Sequence, residues 1–123
     1  MNIRKMTISD YDGVYNLWIS CAGMGLNNLD DSRDGIGKFI NRNPDTCLVA
    51  EEDSRIVGVI MAGNDGRRGY IYHTAVNQQY RKKSIAKQLV DKAVTELELQ
   101  GFTVRGNLIY RNKALTDIVR IDT

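Results

Sequence analysis

The sequence predicts a single domain of the mixed α and β class, and three observations carry that prediction. Two β-rich apolar runs, TCLVAEE at 46–52 and RIVGVIMAG at 55–63, flank a two-residue link, the spacing of a hairpin. Further on, Ala86, Leu89, Val90, Ala93, Val94 and Leu97 recur at helical spacing, a stripe that persists for three turns. No repeat, low-complexity tract or Pro/Gly/Ser linker divides the 123 residues, and 42% hydrophobic with 26% charged residues suits one unit with a real core.

The elements follow in order. NIRKM at 2–6 alternates apolar and basic residues, as a strand with one buried face does. Ser9 then opens a helix, with Asp12 in a capping-box-like position three residues on. Tyr11, Val14, Tyr15 and Trp18 form one helical face, which Leu17 and Cys21 widen, and the helix runs to about residue 20. GMGLNN at 23–28 is a loop. A second helix starts near Ser32 and buries Ile36, Phe39 and Ile40, although Gly35 and Gly37 each cost about 1 kcal/mol relative to Ala. Pro44 forces Asn43 out of the helical region.

The runs at 46–52 and 55–63 pair antiparallel through Asp53 and Ser54, and the loop GNDGRRG leads into a further strand, YIYHTAV at 70–76. After NQQYRKK comes the long helix, ended by Gly101 in the left-handed conformation. FTVRGNLIY at 102–110 reads as another strand, weakened or bulged at Gly106. The closing RNKALTDIVRIDT fits a short helix or a short strand.

Several function classes lose support at this point. The longest apolar stretch, IVGVIMAG, is far too short to span a bilayer, and MNIRKMTISD lacks the apolar core of a signal peptide, so a cytoplasmic location is expected with no membrane partner. Cys21 and Cys47 have no metal-ligand spacing and His73 is the lone histidine, which predicts buried free thiols and no metal. The net charge of +2 is too small to argue for nucleic acid, and Tyr80 alone beside the cations is a poor stacking platform, so no nucleic-acid partner is expected.

YRKKSIAKQLV at 80–90 is the most informative stretch. It sets Arg81, Lys82 and Lys83 directly before a helix start, where unpaired N–H groups and the positive dipole end already favour an anion, phosphate above all. The plain alternative is a solvated basic turn.

The region from Asn2 to about Asn112 resembles the GNAT superfamily of acetyl-CoA-dependent N-acetyltransferases in element order and in HTAVNQQYRKKSIAKQLV. In that family a strand precedes a pyrophosphate loop of Gln or Arg, two residues, Gly, any residue, then Gly or Ala, opening a helix. Arg81, Ser84 and Ala86 fall on this pattern, with Ser84 where the family has glycine. The resemblance implies an α+β domain spanning residues 1–123 around a central, mixed but mostly antiparallel sheet flanked by helices. It implies acetyl-CoA as cosubstrate, no metal, and an amine acceptor. The loop and first helical turn, with Lys82, Lys83 and Ile85 beside the motif residues, would hold the pyrophosphate, because converging backbone N–H groups favour its charge. Ala75 and Val76 would lend backbone groups to the pantetheine arm, and Asn112 matches the asparagine that follows the fifth strand. A serine forced to φ > 0 at position 84 costs more than glycine.

Catalysis needs a route for the acceptor's proton, and His73, on the strand beside the implied acyl site, is the candidate base. Its plain alternative is a half-buried strand histidine. Tyr72 is the other candidate, and strand alternation sends the two to opposite faces. Asp30 and Asp31 either attract a cationic amine or simply cap the next helix or face water, and Arg67 and Arg68 either meet the CoA 3′-phosphate or face water. Beyond about residue 103 the chain departs from the family pattern: no tyrosine follows Asn112 as thiol acid, and no Gly-Phe comes later. A domain without its last strands is therefore expected, with 102–110 an open edge that a second copy in a homodimer would cover. The function implied is acetyl transfer from acetyl-CoA to a primary amine of a small molecule or protein. The alternative is a non-catalytic CoA-binding or interaction module on the same fold.

Overall fold

Strand β1 (Asn2–Lys5) starts the chain in a computed structural model that describes residues 1–103. Helices α1 (Tyr11–Ser20) and α2 (Arg33–Arg42) follow, then strands β2 (Cys47–Glu52), β3 (Arg55–Asn64) and β4 (Gly69–Val76), and helix α3 (Ile85–Leu99). The described strands form one sheet in the order β1-β2-β3-β4, each pair antiparallel. Asp53 and Ser54 take φ of 50° and 62°, the two left-handed residues that a tight two-residue hairpin requires.

The sheet is covered on both faces. Val49, Val59, Met61 and Ala75 face α1 and α2, where they meet Val14, Leu17, Trp18 and Ile36. Leu48, Ala50, Val57 and Ile60 face α3 and meet Ile85, Leu89, Ala93 and Leu97. This explains why β2 and β3 read as continuous apolar runs rather than alternating ones. The stripe of α3 keeps the expected phase through Leu89, Val90, Ala93, Val94 and Leu97 and differs only at its first position. Ile85 is buried at its start while Ala86 is exposed, which leaves Ala86 free to line a surface.

The first helix begins differently from the expectation. A single 3-10 turn, Ile8–Asp10, precedes α1, and Asp10 Oδ2 accepts the Thr7 N–H at 2.9 Å, so the capping carboxylate is Asp10 rather than Asp12. Arg4 also grips Asp10 with two bonds of 2.9 Å, tying the turn to β1 and holding the Asp10 carboxyl below its usual range. At α2, Ser32 Oγ accepts the Gly35 N–H at 3.1 Å, the expected start. Gly35 has its own reason to be there. A methyl group at that position would run into the Leu29 and Asp30 carbonyls, so only glycine lets the preceding loop lie tight against the helix.

Helix α3 ends as expected. Gly101 has φ of 98°, the Phe102 N–H reaches the Leu97 carbonyl at 3.0 Å, and the Gly101 N–H reaches that of Glu98 at 3.0 Å. Phe102 and Leu97 pack in the same apolar cluster, which closes the motif. Residues 102 and 103 are not in a strand. The remainder of the strand expected at 102–110, Asn112, and the expected absence of the last strands all fall outside the described residues.

Candidate functional site

The chain leaves β4 at Val76, and Asn77 Oδ1 accepts the Gln79 N–H at 2.9 Å to start a 3-10 turn over Gln78–Tyr80. Lys82 and Ser84 then take φ of 68° and 61°, left-handed values that only glycine adopts freely. These two reversals fold residues 81–84 back over the start of α3. The result is a cleft of about 300 Å³ lined by Val76 at the strand end, Tyr80, Arg81 and Lys82 in the loop, and Ser84, Ile85 and Ala86 at the helix start. Ser84 is the N-cap residue, yet its hydroxyl makes no capping bond, and the first turn of α3 holds no acidic side chain. Its leading N–H groups are therefore available to an anion in the cleft.

The expected loop residues do not all contribute alike. Arg81 lies along the strand end, with Nε donating to the Val76 carbonyl at 3.4 Å. Lys83 is not a lining residue; its ammonium sits 5.2 Å from the centre of the Tyr80 ring. Ile85 lines the cleft although it is buried in the α3 core, whereas Ala75, buried in the α1 core, is not a lining residue. Tyr80, passed over in the sequence as a weak stacking platform, is a cleft wall. Arg67 and Arg68 sit in the turn before β4, at the opposite end of that strand from Val76, with their backbone N–H groups bonded to Asp65. Their guanidinium groups are exposed there, away from the cleft.

A second constellation lies on the same strand. Val59 pairs with Ala75 but Met61 pairs with Tyr72, so β4 carries one extra residue opposite Ile60. His73, in this bulge, has φ of 44°. The bulge breaks strand alternation, and the expectation that Tyr72 and His73 point to opposite faces fails for that reason. Both pack on the α1 and α2 side: Tyr72 edge-on against Phe39 at 5.7 Å, and His73 edge-on against Trp18 at 5.2 Å. His73 Nε2 lies 2.9 Å from Asp31 Oδ1, and the Trp18 indole N–H donates to the His73 carbonyl at 3.0 Å.

Asp31 neither caps α2, where Ser32 is the cap, nor faces water, so the plain reading of it does not hold. It is 6% exposed, and its second oxygen accepts the Asn27 N–H at 2.7 Å. Asp30 stays exposed. The pairing of Asp31 with His73 joins positions 42 apart and left no local signal in the sequence. His73 is three residues from Val76, so the dyad and the cleft lie along one strand, roughly 10 Å apart.

A model of the acetyltransferase (GNAT) family matches residues 11–109. The chain belongs to this family. An acetyltransferase of Pectobacterium atrosepticum is 35% identical over 101 residues, covering 82% of this chain and 70% of the relative, and one of Sodalis glossinidius is 36% identical over the same shares. Among solved structures, PaiA N-acetyltransferase from Thermoplasma acidophilum, in complex with coenzyme A, superposes with a TM-score of 0.69 at 19% identity. That match covers 82% of this chain and 74% of the other. Diaminobutyrate acetyltransferase from Paenibacillus lautus, in complex with L-2,4-diaminobutyric acid and coenzyme A, gives 0.64 at 25% identity over 76% of this chain and 55% of that one. The GNAT fold is thus shared, with the α3 start and its loop following β4 in the family order.

Among the described residues, no helix is long and apolar enough to cross a membrane, and no group of three or more His, Cys, Asp or Glu side chains could hold a metal ion. Both cysteines are free. Cys47 is buried, and desolvation pushes its thiol up to about 12. Cys21 departs from the expectation of burial: it is half-buried, 4.0 Å from an Arg81 guanidinium nitrogen.

Proposed function

We propose that this GNAT-family chain transfers an acetyl group from acetyl-CoA to a primary amine, carried on a small molecule or a protein. The observation that carries this reading is the cleft at the uncapped start of α3, where free N–H groups, Arg81 and Lys82 surround a space of about 300 Å³. Converging N–H dipoles and cations suit a pyrophosphate, which spreads its charge over several oxygens. The coenzyme A present in the PaiA and diaminobutyrate structures supports the same assignment.

The reaction asks for a neutral amine whose lone pair attacks the thioester carbonyl carbon. A C–N bond forms, the C–S bond breaks, and the coenzyme leaves as a thiolate. The amine's proton needs an acceptor close by. His73 is the proposed base, since its half-buried imidazole lies on the strand that leads into the cleft. The backbone of Ala75 and Val76 lies between the two sites, on the path the acyl arm would take.

Calorimetric titration of the full chain with acetyl-CoA, followed by thiol release in the presence of primary amines, tests this reading. Micromolar binding with amine-dependent thiol release is expected. Binding without turnover for any amine would favour the non-catalytic module instead. A folded chain that does not bind acetyl-CoA would overturn both.

A further inference from the structure

We infer that Asp31 is a positioning residue for the transfer, holding the His73 imidazole so that Nδ1 is the nitrogen that receives the acceptor's proton. This rests on the reading of His73 as the base. A carboxylate only accepts hydrogen bonds, so the ring nitrogen facing it, Nε2 at 2.9 Å, is the one that carries hydrogen. Nδ1 keeps the lone pair.

The surroundings are built to keep Asp31 in place. A buried carboxylate is costly unless its oxygens are bonded, and both are: one to His73, the other to the Asn27 N–H at 2.7 Å. The Asp31 N–H donates to the Asn27 carbonyl at 3.0 Å, and the Tyr11 hydroxyl donates to the Asp31 carbonyl at 2.7 Å. Asn27 in turn accepts from Leu29 and Asp30 through its side chain, at 2.8 and 2.9 Å. On the other side, the Trp18 indole holds the His73 carbonyl within the bulge. Both partners of the dyad are therefore fixed from the backbone outward. The groups around the imidazole are Asp31 from the loop before α2, Trp18 from α1, and the Tyr11 phenol beyond Asp31 with Arg33 stacked on its ring.

This arrangement completes the proton balance of the reaction. The amine attacks the thioester carbon, and its proton moves to Nδ1 as the C–N bond forms. The resulting imidazolium faces the Asp31 carboxylate, which stabilises its charge. As the C–S bond breaks, the imidazolium returns the proton to the coenzyme thiolate, directly or through water. Amine and acetyl-CoA become amide and free thiol, with no other reactant.

The test uses the full chain with Asp31→Asn, His73→Gln and the double variant. His73 is the only histidine, so the two imidazole nitrogens are read without ambiguity in a ¹⁵N spectrum, and this arm needs no turnover. Asp31→Asn should move those nitrogens away from the fixed Nε2–H pattern. With acetyl-CoA and a panel of primary amines, it should lower kcat roughly 100-fold and leave KM for acetyl-CoA unchanged. In the His73→Gln background the same change should have no further effect. Should Asp31→Asn fail to fold, Asp31→Glu, which retains the carboxylate, should keep the Nε2–H pattern and part of kcat. Unchanged nitrogens in Asp31→Asn, or an equal loss of kcat in the His73→Gln background, would overturn this inference. Full kcat in His73→Gln would overturn the base reading, and the inference with it.

Discussion

Trp18 on α1 donates its indole N–H to the backbone carbonyl of His73 on β4 at 3.0 Å, a bond that joins positions 55 apart and reaches into the β4 bulge. The carbonyl it serves belongs to a residue with no register partner on β3, and Trp18 itself is fully buried. Replacing it with phenylalanine keeps an aromatic ring but removes the donor. Trp18→Phe should cost about 2–4 kcal/mol, from the unmet carbonyl together with the smaller ring. Urea denaturation checks this, and a cost near zero would mean that the bulge holds without the indole.

Ser84 holds a left-handed conformation that disfavours any side chain by about 1–2 kcal/mol, while glycine loses more chain entropy on folding. The first term is the larger. Ser84→Gly should therefore raise stability by up to about 1 kcal/mol and preserve acetyl-CoA affinity, whereas Ser84→Val should lower both. Thermal denaturation with and without acetyl-CoA reads the two effects.

Lys82 lines the cleft and Lys83 sits on the Tyr80 ring, so the two adjacent lysines should behave differently. Lys82→Ala should weaken acetyl-CoA binding roughly tenfold and flatten its salt dependence, while Lys83→Ala should change it less than about twofold. Calorimetry at two ionic strengths separates them. Equal losses would mean that only the net charge of the loop matters.

The Arg4 and Asp10 pair gives stability a defined response to acid. Its hydrogen bonds from Arg4, more than the one from Thr7, hold the Asp10 carboxyl below its usual value, so the folded state favours the charged form. That contribution is complete above the unfolded value of about 4 and is lost as the pH falls through the lower folded value. Urea midpoints of the wild type and Asp10→Asn should differ by a constant amount at neutral pH and converge below about pH 4. A gap that persists in acid would assign the effect to packing rather than charge.

Burial pushes the Cys47 thiol up to about 12, while Cys21 is half-exposed beside Arg81. A thiol reagent at pH 8 should modify Cys21 in the native chain and reach Cys47 only when the chain unfolds. Prompt modification of both would show that the sheet opens locally at β2.

Much of this architecture was legible from local rules. The hairpin followed from two apolar runs around Asp53 and Ser54, α2 from Ser32 and its apolar spacing, and the end of α3 from Gly101. The cationic loop ahead of α3 was equally visible, because charge, strand end and helix start are neighbours in the chain. The opening of α1 was misread by two residues, since Asp10 is claimed by Arg4, a contact that sequence spacing does not report. Only the first position of the α3 stripe differs from the sequence pattern, because Ala86 and Ile85 are both apolar and only the packing against β3 chooses between them.

The sequence by itself determined the order of the elements described up to α3, the family resemblance and the cationic stretch directly ahead of a helix start, all of which depend on residues near one another along the chain. The tertiary structure decided which of those residues meet. It turned Lys83 onto Tyr80, sent Arg67 and Arg68 to the far end of β4, and brought Tyr72 and His73 to one face through a single extra residue opposite Ile60. It also placed Asp31 against His73 from a loop 42 positions away. The physical reason is that burial and hydrogen bonding act over distance in space, and a bulge or a loop can change that distance without altering any local pattern that a reader of the sequence could follow.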